Sequence, residues 1–484
     1  MSAPRGRDLR EAAGGPLALR LSPRYLDEHC LLPLGIDADG ALMTAVGGPL
    51  DPTVSDELSR LFGRRLRLIE MPAGEIQAAI LSVRRDADEA PDALASANGF
   101  AAGDGEAIDD LRTLANQAPV IKLVNVMLLD ALRAGASDVH VESTAAGLRI
   151  RFRLDGVLQD VSQPGRQYRA AVISRIKIMA GLNIAERRQP QDGRARMRLA
   201  DREIDVRVSS LPALHGESLV LRILDHGLNV RDLADLGMPP DVERRFDALV
   251  RRSRGIVLVT GPTGSGKTTT LYGALARVNQ PGVKILTVED PVEYQIEGVT
   301  QMPVNRKAGL TFASALRSML RHDPDVIMVG EMRDRETAEI AIQAALTGHL
   351  VFSTLHTNDA PSGITRLVQM GIEPYLVAAT VQGILAQRLV RVLCTACGGP
   401  ASGADLAACE ACSRTGYRGR TGIYELLVMS DAMRALVAER VPLDVLREHA
   451  EREGLQALVA DGMRKVDAGL TTRDEVMRVT SEAG

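Results

Sequence analysis

Residues 261–268 read Gly-Pro-Thr-Gly-Ser-Gly-Lys-Thr, the spacing of a loop that cradles phosphate. Glycines let the chain bend until its backbone N–H groups converge on an anion. Gly261, Pro262, Thr263, Gly264, Ser265 and Gly266 supply that cradle, and Lys267 is spaced to reach the β- and γ-phosphates. The Thr268 hydroxyl is placed for Mg²⁺, and Thr269 follows at the start of a helix. ATP and Mg²⁺ are the expected ligands. A chance glycine loop is the alternative, but the flanks argue against it. Ile256–Thr260 is a short apolar, β-branched run that predicts a buried strand, and Thr269–Val278 predicts a helix with its N-terminus toward the anion.

A phosphate loop alone does not define a reaction; acidic and basic groups around it do. Open α/β sheets collect their ligands at the carboxyl ends of their strands. Two strand-like runs end in acid: Val283–Val288 runs into Glu289-Asp290-Pro291-Val292-Glu293, and Val326–Val329 into Gly330-Glu331. Glu331 is the candidate for orienting or activating water, with a share in Mg²⁺ coordination, direct or through water. The element departs from the usual acidic strand end, because Asp325 precedes the strand and Glu331 follows a glycine. Glu289, Asp290 and Glu293 are candidates for polarising water or holding Mg²⁺ through water. A surface charge or a helix cap is the alternative for each carboxylate.

His349 and His356 flank the run Leu350–Thr354. A histidine beside a nucleotide senses the γ-phosphate by hydrogen bonding; elsewhere it is structural. Arg317, Arg321 and Arg333 surround the second acidic strand, while Arg207 and Arg222 lie on strand-like runs farther upstream. Phosphoryl transfer needs positive charge at the γ-phosphate, and an arginine from a neighbouring subunit adds about 10³–10⁵ in rate. For an arginine on a strand, a solvated face is the alternative.

Cys394-Thr-Ala-Cys397 and Cys409-Glu-Ala-Cys412 are paired C-x-x-C hooks. Four thiolates make a closed tetrahedral zinc site with no open position for catalysis. Zinc is therefore expected in a structural or docking role, with reduced thiols the alternative. Cys30 stands alone and reads as a small core residue.

The elements that must position these groups follow from length and pattern. At 484 residues the chain is too long for one core. Its 45% hydrophobic and 25% charged residues are those of a soluble globular protein, and four of its five cysteines fall within 394–412, which favours metal over disulfides. A net charge of -4, 3% aromatics and no Trp argue against a nucleic-acid partner. No run of about 18 apolar residues is present, and Met1–Gly15 lacks an apolar signal core, so a cytoplasmic chain is expected.

Residues 1–83 predict a small α/β module suited to docking a partner, with Asp51-Pro52 as a helix-start signal. Residues 84–108 are rich in Ala, Asp, Gly and Glu and read as a flexible linker, with a solvated helix around Asp88–Ala97 as the alternative. Residues 109–232 form a middle domain: helices over Val120–Ala134 and Arg169–Met179, and strands over Gly147–Val161 (turning at Asp155-Gly156), Arg202–Ser209 and Glu217–Leu224. Residues 233–484 form the third unit. There, strand-like runs at 256–260, 283–288, 326–329 and 350–354 alternate with helices, which predicts an α/β fold with a mostly parallel sheet. The cysteine subdomain 394–412 and a helical stretch 430–484 complete it.

Taken together these motifs resemble the secretion and type IV pilus assembly ATPase superfamily, and within it the type II secretion system ATPases (general secretion pathway protein E). The stretches that carry the resemblance are Ala136–Glu142, Arg153–Leu158, Arg188–Arg194, the phosphate loop, Val288–Glu293 and Asp323–Arg333. Thr347–Asn358, Ala386-Gln387-Arg388-Leu389, the cysteine pairs and Gly419–Gly422 carry the rest. The match spans roughly 110–480, and the first hundred residues follow it only in outline.

The resemblance implies a RecA-like ATPase domain, a PAS-like α+β middle domain, and a homo-hexamer peripheral to the bacterial inner membrane. It implies a motor for pseudopilus assembly and protein export. Partners implied are the cytoplasmic domain of the bitopic L component and the polytopic F component, with the membrane reached only through them. Arg207 and Arg222 match the middle-domain arginines that approach the phosphates; Arg317, Arg321, Arg333 and Arg420 match interface arginines. The segment between the cysteine pairs is shorter than is usual in the family. Three other readings are open to the sequence: a pilus extension ATPase, a nucleotide-binding scaffold without turnover, and a nucleic-acid transfer ATPase.

Overall fold

The computed structural model describes residues 26, 29–37, 39–79, 112, 114–199, 202–225, 231–400 and 409–481. The chain divides into two units, Met1–Ala101 and Ala102–Gly484. The linker expected over 84–108 lies outside the described residues.

In the first unit β1 (Leu31–Ile36), β2 (Leu42–Val46) and β3 (Leu66–Glu70) form one sheet in that order, antiparallel then parallel. The parallel step needs a crossover, and the helix Pro52–Phe62 provides it. Asp51 caps that helix through a 2.8 Å bond from Thr53 N, Pro52 occupies its first turn, and Gly63 ends it in the left-handed conformation. Leu31, Leu32, Ala45, Val46, Leu58 and Ile76 bury against one another.

The second unit holds two sheets. The first is antiparallel throughout, with strands β4 (Asp138–Thr144), β5 (Gly147–Leu154), β6 (Val157–Ser162), β7 (Gln191–Leu199), β8 (Arg202–Ala213) and β9 (Gly216–Asp225). Their spatial order is β6-β5-β4-β9-β8-β7. Asp155 and Gly156 both have positive φ, 47° and 86°, and close the β5–β6 hairpin at the expected two residues. Helices Ala118–Arg133 and Arg166–Met179 cover one face: Val124, Leu128, Val172 and Ile176 pack on Val139, Ile150, Phe152, Val206 and Leu221. Because strand side chains alternate, Asp138, Arg153, Arg207 and Arg222 point to the other face.

The second sheet has seven strands: β10 (Gly255–Thr260), β11 (Ile285–Glu289), β12 (Val299–Pro303), β13 (Val326–Val329), β14 (Leu350–Leu355), β15 (Val381–Leu393) and β16 (Tyr417–Val428). Their order is β12-β11-β13-β14-β10-β15-β16, parallel except for the β15–β16 pair. This is the mostly parallel α/β sheet expected from the alternating runs. Ile256, Leu258, Ile327, Val329 and Val351 bury in one cluster, Val257, Val259, Val326, Met328 and Phe352 in another, so both faces are covered. Helices Asp431–Ala438, Leu443–Arg452, Leu458–Asp467 and Arg473–Ser481 occupy the helical stretch expected at the end. Among the described residues no helix is long and apolar enough to cross a membrane.

Two of the boundaries that shift from expectation bear on the phosphate loop and its neighbours. The helix after the phosphate loop starts at Lys267, two residues earlier than the sequence predicts, and β11 runs 285–289 rather than 283–288. The second shift matters because it makes Glu289 part of the strand.

Candidate active site and a four-cysteine cluster

The loop 261–268 joins the carboxyl end of β10 to the helix Lys267–Val278, as its pattern requires. Gly261 and Gly266 have φ of +148° and +86°, and neither has room for a side chain. A Cβ on Gly261 would stand 2.4 Å from Gln387 O, and one on Gly266 would stand 2.7 Å from Gln387 Nε2. Pro262, Thr263 and Gly264 are the exposed tip, whereas Ser265 is buried. Lys267 is buried and donates to Gly261 O at 2.7 Å and Pro262 O at 2.9 Å. Burial lowers its pKa to about 8; the Arg388 charge adds to that effect and Glu331 opposes it. Phosphate placed on the loop would favour the charged lysine again.

The other strands of the sheet bring their ends to the same edge. Glu331 follows β13, largely buried, with Arg333 Nε 2.6 Å and His356 Nε2 3.5 Å from its Oε2. His356 follows β14, next to β10 in the sheet. Burial, and then Lys267, depress the His356 pKa, while Glu331 raises it. Thr357 locks this corner to the loop strand, its N–H donating to Thr260 Oγ1 at 2.8 Å. Lys267, Glu331 and His356 therefore form one charge-coupled group at the carboxyl edge of the sheet.

His349 does not belong to it, contrary to expectation. It precedes β14, and its backbone carbonyl accepts from Gly255 N (3.1 Å) at the start of β10, the end remote from the phosphate loop. Six strand residues separate His349 from His356, about 20 Å of extended chain. Its Nδ1 lies 2.9 Å from Ala344 O, so its role is to close the helix that precedes it. Asp325, likewise at the remote end, accepts from Lys284 N at 2.7 Å.

Glu289 is also placed differently from a water-activating carboxylate. It is buried, and its oxygens accept from the Tyr272 hydroxyl, from Thr287 Oγ1 at 2.5 Å and from Gln301 Nε2 at 3.1 Å. Tyr272 sits on the phosphate-loop helix and its hydroxyl also accepts from Glu293 N at 3.3 Å. Glu289 thus anchors Tyr272, and Tyr272 holds the backbone of Glu293. Burial raises the Glu293 pKa, opposed by Arg207 and Arg222. Asp290 pairs with Arg306 at 3.1 Å.

Arg207 and Arg222 belong to a row across the antiparallel sheet. Arg194 on β7 lies directly opposite Arg207 on β8, which lies opposite Arg222 on β9, which lies opposite Asp138 on β4. Like charges directly opposite one another repel. Asp138 relieves only one end, accepting from Arg222 Nε at 3.0 Å. Burial lowers the Arg207 pKa; Glu293 opposes the shift, and Arg194 and Arg222 reinforce it. An anion above the row would remove the repulsion. Arg194 ends the stretch Arg188–Arg194 but has no site role in the sequence reading, because only the strand register places it in the row.

Arg317 is engaged by Glu336 at 2.6 Å, and Arg321 by Arg317 O at 2.9 Å and Ser318 Oγ at 3.3 Å. Arg420 reaches across to the β5–β6 turn, 3.3 Å from Asp155 Oδ1, where Gly419 N also donates to Asp155 Oδ2 at 2.8 Å. These three arginines thus have partners away from the phosphate loop of their own chain.

Cys394, Cys397, Cys409 and Cys412 converge, with every sulfur within 4.8 Å of the others. The Cys394–Cys409 and Cys397–Cys412 separations are 4.0 and 3.9 Å. Four thiolates about 2.3 Å from a tetrahedral zinc stand about 3.8 Å apart, so the cage fits that ion. Gly416 N donates to Cys412 Sγ at 3.2 Å, the outer-shell contact that steadies a thiolate ligand.

Residues 113–478 match the family model described as Type II/IV secretion system protein, and residues 5–90 match that of an MshEN domain. The type II secretion system protein HxcR of Pseudomonas aeruginosa is 53% identical, covering 78% of this chain and 80% of its own. The type II secretion system ATPase E of Vibrio cholerae is 45% identical, covering 90% of this chain and 91% of its own. Among solved structures, the pilus retraction motor PilT with bound ADP aligns at a TM-score of 0.54 and 29% identity, over 73% of this chain and 96% of that one.

Proposed function

The chain belongs to the type II/IV secretion system protein family, and from that premise we propose that it is a Mg²⁺-dependent ATP hydrolase driving pseudopilus assembly and protein export by a type II secretion system. The observation that carries the reading is the convergence of Lys267, Glu331 and His356 at the carboxyl edge of the parallel sheet. Lys267 and the loop amides hold the phosphates, and Glu331 aligns water for attack on the γ-phosphorus. Thr268 and the acidic strand ends would hold Mg²⁺, which neutralises charge on the phosphate oxygens. Names borne by relatives at 45–53% identity favour type II secretion over pilus extension.

The arginine row of β7–β9 supplies charge from a second body, so closure of that body on the loop is coupled to the nucleotide. We take 109–232 and 233–484 as those two domains and 1–83 as a docking module for the bitopic L component, with the polytopic F component as a further partner. Arg317 and Arg321 act across subunits of a homo-hexamer at the cytoplasmic face of the inner membrane. Cys394, Cys397, Cys409 and Cys412 hold zinc in a structural role.

Glu331→Gln tests the reading. It should bind ATP with near-normal affinity and lose turnover by about 10²–10³. Unchanged hydrolysis would remove Glu331 from the chemistry.

A further inference from the structure

One motif remains without a role: Gln387-Arg388, two polar residues inside the apolar run Ile384–Val390 of β15. Gln387 is 2% exposed. Burying an amide in a sheet is costly unless both its ends are bonded. Both are: Nε2 donates to Ser265 O at 2.6 Å, and Oε1 accepts from Thr270 Oγ1 at 2.7 Å. Ser265 lies in the phosphate loop and Thr270 in the first turn of the helix it feeds. The amide spans the bend between them. The backbone of the same residue limits the loop at Gly261, and its side chain limits it at Gly266.

We propose that Gln387 is a positioning residue for the nucleotide, fixing the curvature of the phosphate loop from β15 and thereby its affinity for phosphates. The proposal rests on the reading of 261–268 as an ATP loop. Only a group offering a donor on one side and an acceptor on the other satisfies both partners. Leu, Met or Ala would take away the side-chain donor to the Ser265 carbonyl and the amide acceptor of the Thr270 hydroxyl. The loop would then relax away from the geometry in which its N–H groups converge.

A carboxyl group has the same shape, and its protonation state decides which partners it satisfies. In Gln387→Glu the neutral acid donates to Ser265 O and accepts from Thr270; the carboxylate repels Ser265 O. The loop it touches carries Lys267, on whose charge Glu331 and Arg388 act, and the Thr270 it touches also bonds Tyr424. A fluorescent ADP analogue with Mg²⁺ is titrated into the full chain between about pH 5.5 and about pH 8.5, a range that a buried carboxyl spans.

Gln387→Glu should bind like the unsubstituted chain at the acid end and about tenfold or more weakly at the alkaline end. A ratio of one at every pH overturns the role. Should Gln387→Glu fail to fold, Thr270 decides: Thr270→Val should weaken binding about three- to tenfold and Thr270→Ser restore it. Equal affinity in both Thr270 variants overturns the proposal. Absence of binding by the unsubstituted chain overturns the nucleotide reading itself, a result distinct from either.

Discussion

His356 Nε2 faces Glu331 Oε2 at 3.5 Å, across the carboxyl ends of two neighbouring strands, and the Lys267 charge acts on both. The imidazole pKa is lowered from its ordinary value, so the ring is neutral at pH 7 before nucleotide arrives. A neutral ring can accept or donate one hydrogen bond and so report whether the γ-phosphate is present. His356→Ala should leave the affinity for ADP within about twofold and lower kcat about ten- to a hundredfold. Steady-state hydrolysis and ADP titration separate the two; a large loss of affinity with normal kcat would assign His356 to binding alone.

Tyr272→Phe removes the hydroxyl that serves Glu289 and the Glu293 backbone together. A buried carboxylate oxygen loses a donor, at a cost of about 1–3 kcal/mol. Chemical denaturation should show this in the nucleotide-free chain. An unchanged midpoint would mean that Glu289 has no need of the tyrosine.

The arginine row lies in the same chain as the Glu293 it influences. Arg207→Ala should therefore lower kcat about 10²-fold or more and should not be rescued by mixing with Lys267→Ala chains. Activity that returns only in the mixture would show that the row serves a neighbouring subunit.

Cys394→Ser should reduce bound zinc from one per chain, read by metal analysis of the purified protein. Undiminished zinc would refute the four-thiolate site. Hydrolysis by the isolated chain should change less than the unfolding temperature does, because the cage has no open coordination position.

Glu425 supplies a pH prediction away from the site. It is buried on β16, accepts from Ala360 N at 2.8 Å and Leu458 N at 3.3 Å, and burial raises its pKa to about 7. Its folded pKa lies above the ordinary 4.5, so the folded chain holds the proton that the unfolded chain releases. Stability from this group is full below the unfolded value and falls as pH rises toward about 7, by up to about 3 kcal/mol. Glu425→Gln should cancel that fall. Thermal unfolding of both proteins across this range checks it, and parallel pH profiles would show that Glu425 does not titrate there.

The phosphate loop, the parallel sheet and the cysteine cage were legible because each depends on local pattern: a fixed spacing, short apolar runs, paired hooks. Glu331 was legible from its place after a strand. What escaped depends on register. Arg194 joins the arginine row only because β7 pairs with β8 at that residue, and no local signal states the pairing. Gln387 and Arg388 interrupt the apolar pattern of β15, which hid a thirteen-residue strand. The half-exposed β12 lacked a run altogether. His349 and His356 looked alike in sequence, since both flank one strand. Only the direction of that strand separates the end that meets nucleotide from the end that does not.

β10 carries the phosphate loop, yet both strands that pair with it, β14 and β15, come later in the chain. About 130 residues separate the end of β10 from the end of β15. At the pace of synthesis, about 5–20 residues per second, the ribosome needs on the order of ten seconds to deliver them. Until β14 follows, the strand feeding the phosphate loop has two open edges, and from then until β15 follows it has one, the condition in which strands find wrong partners. Nascent chains cut short before Leu393 should therefore be the aggregation-prone ones, and chaperones should engage them in that window.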